Sequence, residues 1–434
     1  MLIRTRRGAF GALAAVFLWL WAGSAPGARA AGFSIFEQGA RGMGFAGAFT
    51  AVANDPSAIF HNAGGVAFLK GKNLYLGGTL VSPSFDFAGD DPFPGAGVAE
   101  TSASAHIAIP AIYYTHQFSE TVVFGLGVHS PFGLRTEWAS PDQFTGRFIS
   151  QRADLKTISI NPTVGFKLAD RLGVGVGFDL RLAKVELQRN VPTINPFTQK
   201  VADIAHADLA SDWNSGFGFN LGLLARPSDA WSIGLAYRHK VKVDFTGSAI
   251  FNQIPTGNSQ LDALVSATLP NGTTPLETSL TFPSIFSGGL SYKTDNWTFS
   301  GEADWFHWST FDQLVLVFPT RTDLDRTIVE GYTNSWQFRF GMERRFGRAW
   351  AARGGYYYDK SPAPSASVSP LLPDSNRNGF CAGGSWTSGR VRFDLGTWYV
   401  KGSDRSTEGL NRDDYNGTYK ASALTLGASF GYGF

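Results

Sequence analysis

Apolar residues alternate with small or polar residues along most of the chain, from about residue 73 to its end. In the last segment the apolar side chains occupy every second position: Leu424, Leu426, Ala428, Phe430, Tyr432 and Phe434. Gly, Ser and Thr fill the positions between them. A period of two predicts β-strands with two different faces.

The alternating pattern recurs in about fourteen segments. They are centred near residues 78, 110, 126, 161, 180, 218, 239, 285, 305, 338, 355, 382, 396 and 425. Short turn signals such as Ala169-Asp170-Arg171 and Pro227-Ser228-Asp229 separate some segments, whereas Asn190 to Ala207 and Phe251 to Pro275 predict long polar loops. An even strand number with short turns at one end is typical of outer-membrane barrels. We therefore predict an all-β fold, a transmembrane antiparallel β-barrel of about 14 strands over residues 71–434.

The C-terminal aromatic residues support a membrane location. Tyr432 and Phe434 would face water in a soluble sandwich, whereas a barrel places such rings in the aromatic girdle at the membrane interface. A terminal Phe also resembles the assembly signal of outer-membrane barrels. The expected partners are therefore outer-membrane lipid and, during biogenesis, the barrel-assembly machinery.

The first seventy residues differ from the rest. Three arginines precede an apolar run from Ala9 to Ala22, which is followed by Ala28-Arg29-Ala30. This order predicts a signal peptide over residues 1–30 and Sec-type export. Residues 31–70 are rich in Gly and Ala and fit no strand. Because a barrel of this width needs filling, we predict that they form an N-terminal hatch, a plug in the lumen.

The composition argues against several classes of function. Only 17% of residues are charged, and the formal net charge of +2 gives no reason to expect nucleic acid as a partner. Cys381 is the only cysteine, so an internal disulfide and a multi-cysteine metal site are excluded. His129-Ser130 lacks a third orienting group for a catalytic triad. We expect no enzyme activity, no cofactor and no metal.

Four motifs occur in the order seen in one known family. They are Ala31-Gly32-Phe33, Asn54 to Asn62, Phe132 to Trp138, and Ser361-Pro362-Ala363-Pro364. In this order they resemble the FadL-type long-chain fatty-acid outer-membrane transporters, a family that includes aromatic-hydrocarbon channels. The resemblance spans the predicted mature chain.

The resemblance implies a function as well as a fold. We expect a monomeric channel of the Gram-negative outer membrane for passive uptake of a hydrophobic small-molecule ligand, with long-chain fatty acids the first choice. An aromatic-hydrocarbon channel of the same family is one alternative. A structural or adhesive surface barrel that uses its long loops is another.

The sequence departs from the family at two places. Asn62-Ala63-Gly64 stands where the family has a proline after the asparagine, so one backbone restraint on the plug is lost. The family also holds the fatty-acid carboxylate with two basic side chains. Arg189 falls on the first, but Thr333 lies near the expected place of the second. A missing cation favours a neutral or aromatic ligand.

The resemblance also implies where the site lies. In the family the ligand lodges near the hatch and leaves through a lateral opening at a kink in the third strand. The predicted gate combines the interruption of that strand with hatch residues: Ser130, Pro131, Phe132 and Gly133 against Asn54, Pro56, Asn62, Ala63 and Gly64. The predicted pocket is Phe33, Ile35 and Phe36, with Arg189 as head-group partner. The structural alternatives are that these apolar residues only pack the plug and that Arg189 is a solvated rim charge.

Overall fold

A computed structural model describes residues 32–270 and 272–434. The predicted signal peptide, residues 1–30, and Ala31 lie outside these ranges. Fourteen strands in the described residues make the wall: β1 (Lys72–Gly89), β2 (Ile107–Gln117), β3 (Val122–His129 with Gly133–Glu137), β4 (Arg152–Ala169), β5 (Leu172–Ile194), β6 (Val201–Ser211 with Asn214–Ala225), β7 (Trp231–Arg238 with Val241–Gln253), β8 (Thr273–Phe282 with Ile285–Lys293), β9 (Trp297–Phe306), β10 (Ser335–Phe346), β11 (Trp350–Asp359), β12 (Arg377–Ser388), β13 (Val391–Gly402) and β14 (Gly417–Gly433).

The wall is closed and antiparallel. β14 pairs with β1 over their whole length, from Asn73 opposite Gly433 to Gly89 opposite Gly417. All fourteen predicted segments coincide with these strands. The prediction of a 14-strand barrel is confirmed.

Side-chain alternation explains why these residues form a barrel rather than a soluble sheet. On β10, Trp336, Phe338 and Phe340 are exposed on the outer face, whereas Gln337 and Arg339 are buried inside. An apolar outer face and a polar inner face are the pattern that a lipid environment requires of a transmembrane barrel.

The plug occupies the lumen. It contains three short helices, α1 (Ala40–Gly44), α2 (Ala58–His61) and α3 (Ala63–Val66), all of whose residues are buried. α1 contacts β12, β13 and β14, while α3 contacts β4, β5 and β6 on a different side of the barrel. A segment that reaches well-separated strands in this way lies between them. The boundaries drawn at residues 30 and 70 stay a prediction.

Inward-facing glycines let the plug approach the backbone of the wall. A side chain at Gly175 of β5 would clash with the carbonyl oxygen of Ala63, and one at Gly234 of β7 would clash with that of Thr50. Glycine is needed at these inward positions because no Cβ fits between the wall and the plug.

Buried ion pairs fix one part of the plug to the wall. The guanidinium of Arg41 contacts Asp55 at 2.9 Å within the plug and Glu343 of β10 at 3.7 Å. Glu343 also pairs with Arg353 of β11 at 2.7 Å. Burial alone would raise the pKa of Asp55, but Arg41 and the hydrogen bond from Ser57 outweigh it and hold that pKa below its usual range. Asp55 is therefore ionised and paired at neutral pH.

The connections differ from the prediction in two places. Asn190 to Ala207 is not a loop, because β5 and β6 continue as a paired extension from Arg189 opposite Ala207 to Ile194 opposite Val201. In these extended ends of β5 and β6, polar residues still alternate with small buried residues. The two ends therefore form strands beyond the part of the barrel whose outer face is apolar. The connection between β7 and β8 contains a helix, α4 (Ser259–Thr268), whose N-terminus is capped by Asn258.

No helix in residues 32–270 and 272–434 is long and apolar enough to span a membrane.

Candidate functional site

The wall has a window between β2 and β3. Pairing of the two strands stops where Ala111 lies opposite His129, and β3 resumes only at Gly133. Further along, the backbone NH of Ala103 donates to the carbonyl of Glu137 at 2.7 Å and the two edges meet again. Between these points the ladder is open.

The N-terminal end of the plug is bonded to this break. Ser34 forms an antiparallel bridge with Phe132. The NH of Ile35 donates to the carbonyl of Pro131, and the NH of Gly133 donates to the carbonyl of Phe33, both at 2.9 Å. The segment Phe33–Ile35 therefore adds a short strand to the interrupted β3.

The structure corrects the plug half of the predicted gate. We expected the region from Asn54 to Gly65 to face the break, but the residues bonded there belong to the segment described above. Asn54 is exposed and accepts a hydrogen bond from Arg41, and Pro56 is buried beside it. The nearest contact of this region is the ring of Phe60, which packs against His129 just before the break at 5.2 Å between ring centres. The orientation of the plug could not be derived from the sequence, because the plug has no sequence periodicity.

The hatch motif itself lies against β5 and β6. Asn62 donates to the carbonyl of Leu223 on β6 at 3.0 Å and accepts from the NH of Gly64 at 3.0 Å as the N-cap of α3. Ala63 is the first residue of that helix and packs against Gly175. The asparagine cap keeps the helix start in place without the family's proline.

A cavity of about 520 Å³ leads from the lumen into the window. We call it the window cavity. Its buried lining includes Tyr357 and Trp398 inside the barrel, whereas Trp213 is 49% exposed. The side chain of Lys156, which also lines it, is 48% exposed. The cavity is thus lined by residues from both faces of the wall. The three apolar residues of the predicted pocket also line it: Phe33, Ile35 and Phe36.

A second, apolar cavity of about 70 Å³ adjoins the first. Leucines dominate its lining: Leu134, Leu155, Leu187, Leu209, Leu276, Leu280, Leu314, Leu316, Leu371 and Leu372. Phe33 lines both cavities. Its ring packs edge to face against Trp308 at 4.8 Å and Phe311 at 5.6 Å between ring centres. Phe33 therefore stands between the two spaces.

The structure does not bring Arg189 to either cavity. Its Nη1 donates to the carbonyl of Phe148 at 3.4 Å, and the described residues that line the two cavities do not include it. Thr333, expected on strand ten, lies just before β10 and donates to the carbonyl of Pro362 at 3.2 Å.

Other cations line the window cavity: Arg135, Lys156, Arg339 and Arg377. Nη2 of Arg377 donates to Asp374 and to the carbonyl of Gly32, both at 2.8 Å. Arg339 pairs with Asp304 of β9 at 2.8 Å and stacks over Phe36 at 4.0 Å. Sequence reasoning missed both residues. The sequence did contain a signal for them, because each is a charged residue at an inward position of an alternating strand. In a membrane protein, a charged residue within a spanning segment suggests a functional site.

Burial shifts the pKa of two titratable side chains of the plug. Glu37 lines the window cavity, and burial raises the pKa of its carboxyl above the ordinary value. Burial lowers the pKa of His61 to about 3, and both ring nitrogens lack a hydrogen-bond partner in the described structure. His61 is therefore neutral at physiological pH.

Residues 22–434 match the family model described as outer membrane protein transport protein (OMPP1/FadL/TodX). The chain belongs to this family. The OMPP1/FadL/TodX relatives include a long-chain fatty acid transport protein of Escherichia coli O6:H1 (strain CFT073), 24% identical over 433 residues, which cover 94% of this chain and 95% of the relative. Outer membrane protein P1 of Haemophilus influenzae (strain Rd) is 24% identical over 420 residues, covering 87% of this chain and 88% of the relative.

Solved structures of this family share the fold. A FadL homologue of Pseudomonas aeruginosa superposes with a TM-score of 0.82 at 20% identity, over 93% of this chain and all of the homologue. The toluene transporter TodX of Pseudomonas putida superposes with a TM-score of 0.67 at 16% identity, over 87% of this chain and 94% of TodX.

Membership of the OMPP1/FadL/TodX family confirms three predictions. The protein is located in the Gram-negative outer membrane, it transports hydrophobic compounds, and it is not an enzyme. The fold class is confirmed by the same comparisons.

Proposed function

We propose that this protein carries long-chain fatty acids passively across the outer membrane and releases them sideways through the window in β3. The observation that supports lateral release is the window cavity, whose lining includes residues from the lumen and from the outer face of the wall. The same cavity is bounded by the predicted gate residues Ser130, Phe132 and Gly133.

A hydrophobic solute needs such a route. A water-filled pore offers no apolar surface to replace the solute's contacts in lipid, so transfer through it is unfavourable. The window cavity, at about 520 Å³, lies within the roughly 300–1,000 Å³ typical of small-molecule sites. The apolar cavity beside it extends the non-aqueous path toward the long loops.

The cations of the window cavity support a ligand with a carboxylate. A guanidinium can bind a carboxylate through charge-assisted hydrogen bonds, which are roughly twice as strong as neutral ones. Of Arg339 and Arg377, Arg377 is better placed to bind a carboxylate. Both of its hydrogen bonds described above use Nη2, so they involve one side of the guanidinium. We assign the remaining edge of that guanidinium to the fatty-acid head group.

An aromatic hydrocarbon is the second candidate. The rings around Phe33 favour it: Phe132, Phe282, Trp308 and Phe311 all meet its edge or face within 6.2 Å between ring centres. Edge-to-face contacts of this kind suit flat, uncharged ligands.

Ligand binding separates the two candidates. We expect native mass spectrometry of the detergent-solubilised protein to identify a bound fatty acid, and Arg377→Gln to weaken oleate binding about tenfold while leaving toluene binding unchanged. Arg189→Gln is the matched control and should bind oleate as the parent protein does, because Arg189 lines neither cavity. Equal oleate affinity in the Arg377 variant, or tight toluene binding without oleate binding, contradicts the fatty-acid proposal.

We also propose that the barrel works as a monomer in outer-membrane lipid and is inserted by the barrel-assembly machinery. Two observations support this: one chain closes the wall through β1 and β14, and the aromatic side chain of Phe434, next to β14, is exposed.

A further inference from the structure

We propose that Gln38 is the latch of the window, because its side-chain amide replaces the strand partner that Ser130 lacks. This inference rests on the proposed lateral release. It concerns what holds the window shut, and it assigns that role to one positioning residue.

The geometry around Gln38 matches a missing peptide unit. Gln38 is fully buried. Its Nε2 donates to the carbonyl of Ser130 at 2.6 Å, and its Oε1 accepts from the NH of Ser130 at 3.3 Å. A primary amide carries one acceptor and two donors, so it can satisfy both backbone groups of one residue at once. Ser130 is the first residue of the gap in β3 and directly follows His129, the last residue paired with β2.

Every backbone group of the break has a partner, and most partners come from the plug. Ile35 and Phe33 satisfy the carbonyl of Pro131 and the NH of Gly133. The NH and carbonyl of Phe132 bond to the hydroxyl of Thr157 on β4, the NH at 3.2 Å. Without the segment Phe33–Gln38, four groups at the break lose their partners: the NH and the carbonyl of Ser130, the carbonyl of Pro131 and the NH of Gly133. An unpaired backbone group in a membrane wall is strongly unfavourable, so the closed window is the resting state.

The latch lies next to a glycine that can serve as a pivot. Gly39 has a φ of 139°, a conformation that side chains disfavour, and a Cβ there would come within 2.7 Å of the Tyr75 hydroxyl. Beyond Gly39 the chain enters α1 and the ion pairs of Arg41. Gln38 is therefore the last residue before the anchored part of the plug. The latch can open without moving that part.

The amide chemistry predicts a graded series at position 38. An ionised Glu can accept from the NH of Ser130 but cannot donate to its carbonyl, and Leu can do neither. We therefore expect the window to be increasingly mobile from Gln38 to Gln38→Glu to Gln38→Leu.

Hydrogen exchange of the full-length protein tests the latch. In Gln38→Leu we expect exchange at the amides of Ser130 and Gly133 to be about tenfold faster, and in Gln38→Glu to be intermediate, as the loss of buried hydrogen bonds requires. Peptides from α2 and α3 should be unchanged. The matched control is Gln117→Leu, the same substitution at a partly buried glutamine at the end of β2, whose side chain accepts a hydrogen bond from the NH of Gly71.

Two results overturn the latch: unchanged exchange at Ser130 in both variants, or a rise of equal size throughout the plug. Heat-dependent gel migration confirms that each variant has a folded barrel. Fatty-acid uptake by cells is measured separately. Faster exchange at Ser130 without any change in uptake supports the latch and counts against lateral release, so the two proposals fail in distinguishable ways.

Discussion

Two parts of the plug are held to the wall by different kinds of interaction. Arg41 and Asp55 bind the later part to the wall through buried ion pairs that include Glu343. The earlier segment, Phe33–Gln38, contacts β3 through neutral hydrogen bonds instead. Removing one partner of a buried ion pair costs roughly 3–5 kcal/mol, whereas a neutral hydrogen bond contributes about 1 kcal/mol. The earlier segment is therefore the part of the plug that can move.

His61 makes the packing of the plug in the lumen depend on pH. We call the plug seated when it is packed there and withdrawn when it is not. Its folded pKa, about 3, lies below the ordinary value of 6.5, so the withdrawn plug binds a proton that the seated plug does not. Stability from the neutral ring is fully present above pH 6.5 and is lost as the pH falls toward 3, by at most about 1.4 kcal/mol per pH unit. We expect exchange of α2 and α3 amides to become faster on acidification from pH 7.5 to 4.5, after correction for the intrinsic exchange rate.

The histidine variant isolates this effect. His61→Phe should remove most of the pH dependence of plug seating, while His206→Phe, on the outer extension of β6, should keep it. A full slope in His61→Phe shows that another group, such as the nearby Asp55, controls the acid response.

Individual site residues could be predicted only where a motif or a strand face identified them. Phe33, Ile35 and Phe36 were identified through the family resemblance, and all three line the window cavity. Arg339 and Arg377 come from β10 and β12, and their convergence on one cavity depends on the register of the strands between them, which local patterns do not contain. The chain has 37 Lys and Arg residues, so residue type alone could not single out these two.

At the scale of elements, the strands were predictable because lipid enforces a strict period of two. The extension of β5 and β6 was missed because its outer face is polar there, which resembles a loop by composition. The plug was correctly expected in the lumen, but its orientation there could not be derived, for a different reason. Its helices have only four or five residues, too few for any helical periodicity to appear.

The inward glycines predict a packing defect. Gly175→Ala places a Cβ against the carbonyl of Ala63, and overpacking of this kind typically costs 1–3 kcal/mol. We expect limited proteolysis to cleave the plug near α3 several times faster in this variant. Gly78→Ala is the matched control, since a Cβ at Gly78 of β1 has nothing within 4 Å. Equal cleavage of both variants contradicts a close wall-to-plug contact.

At the scale of the whole molecule, the two cavities and the window form one continuous route for a ligand, and a single segment of the plug closes it. Phe33 separates the apolar cavity from the window cavity, while the backbone on either side of Ser34 closes the break in β3. The same six-residue segment thus lines the junction of the two cavities and is bonded to the break in the wall. The proposed lateral release requires this segment to move.

A disulfide between the plug and the break tests that step most directly. Ser34 and Phe132 form the bridged pair between two flanking hydrogen bonds, a geometry with Cα atoms about 4.5 Å apart, within disulfide range. Ser34→Cys with Phe132→Cys, in a Cys381→Ser background, should lose fatty-acid uptake when oxidised and regain it on reduction. The single-cysteine variants serve as controls. Undiminished uptake with the cross-link fully formed would contradict lateral release through the window.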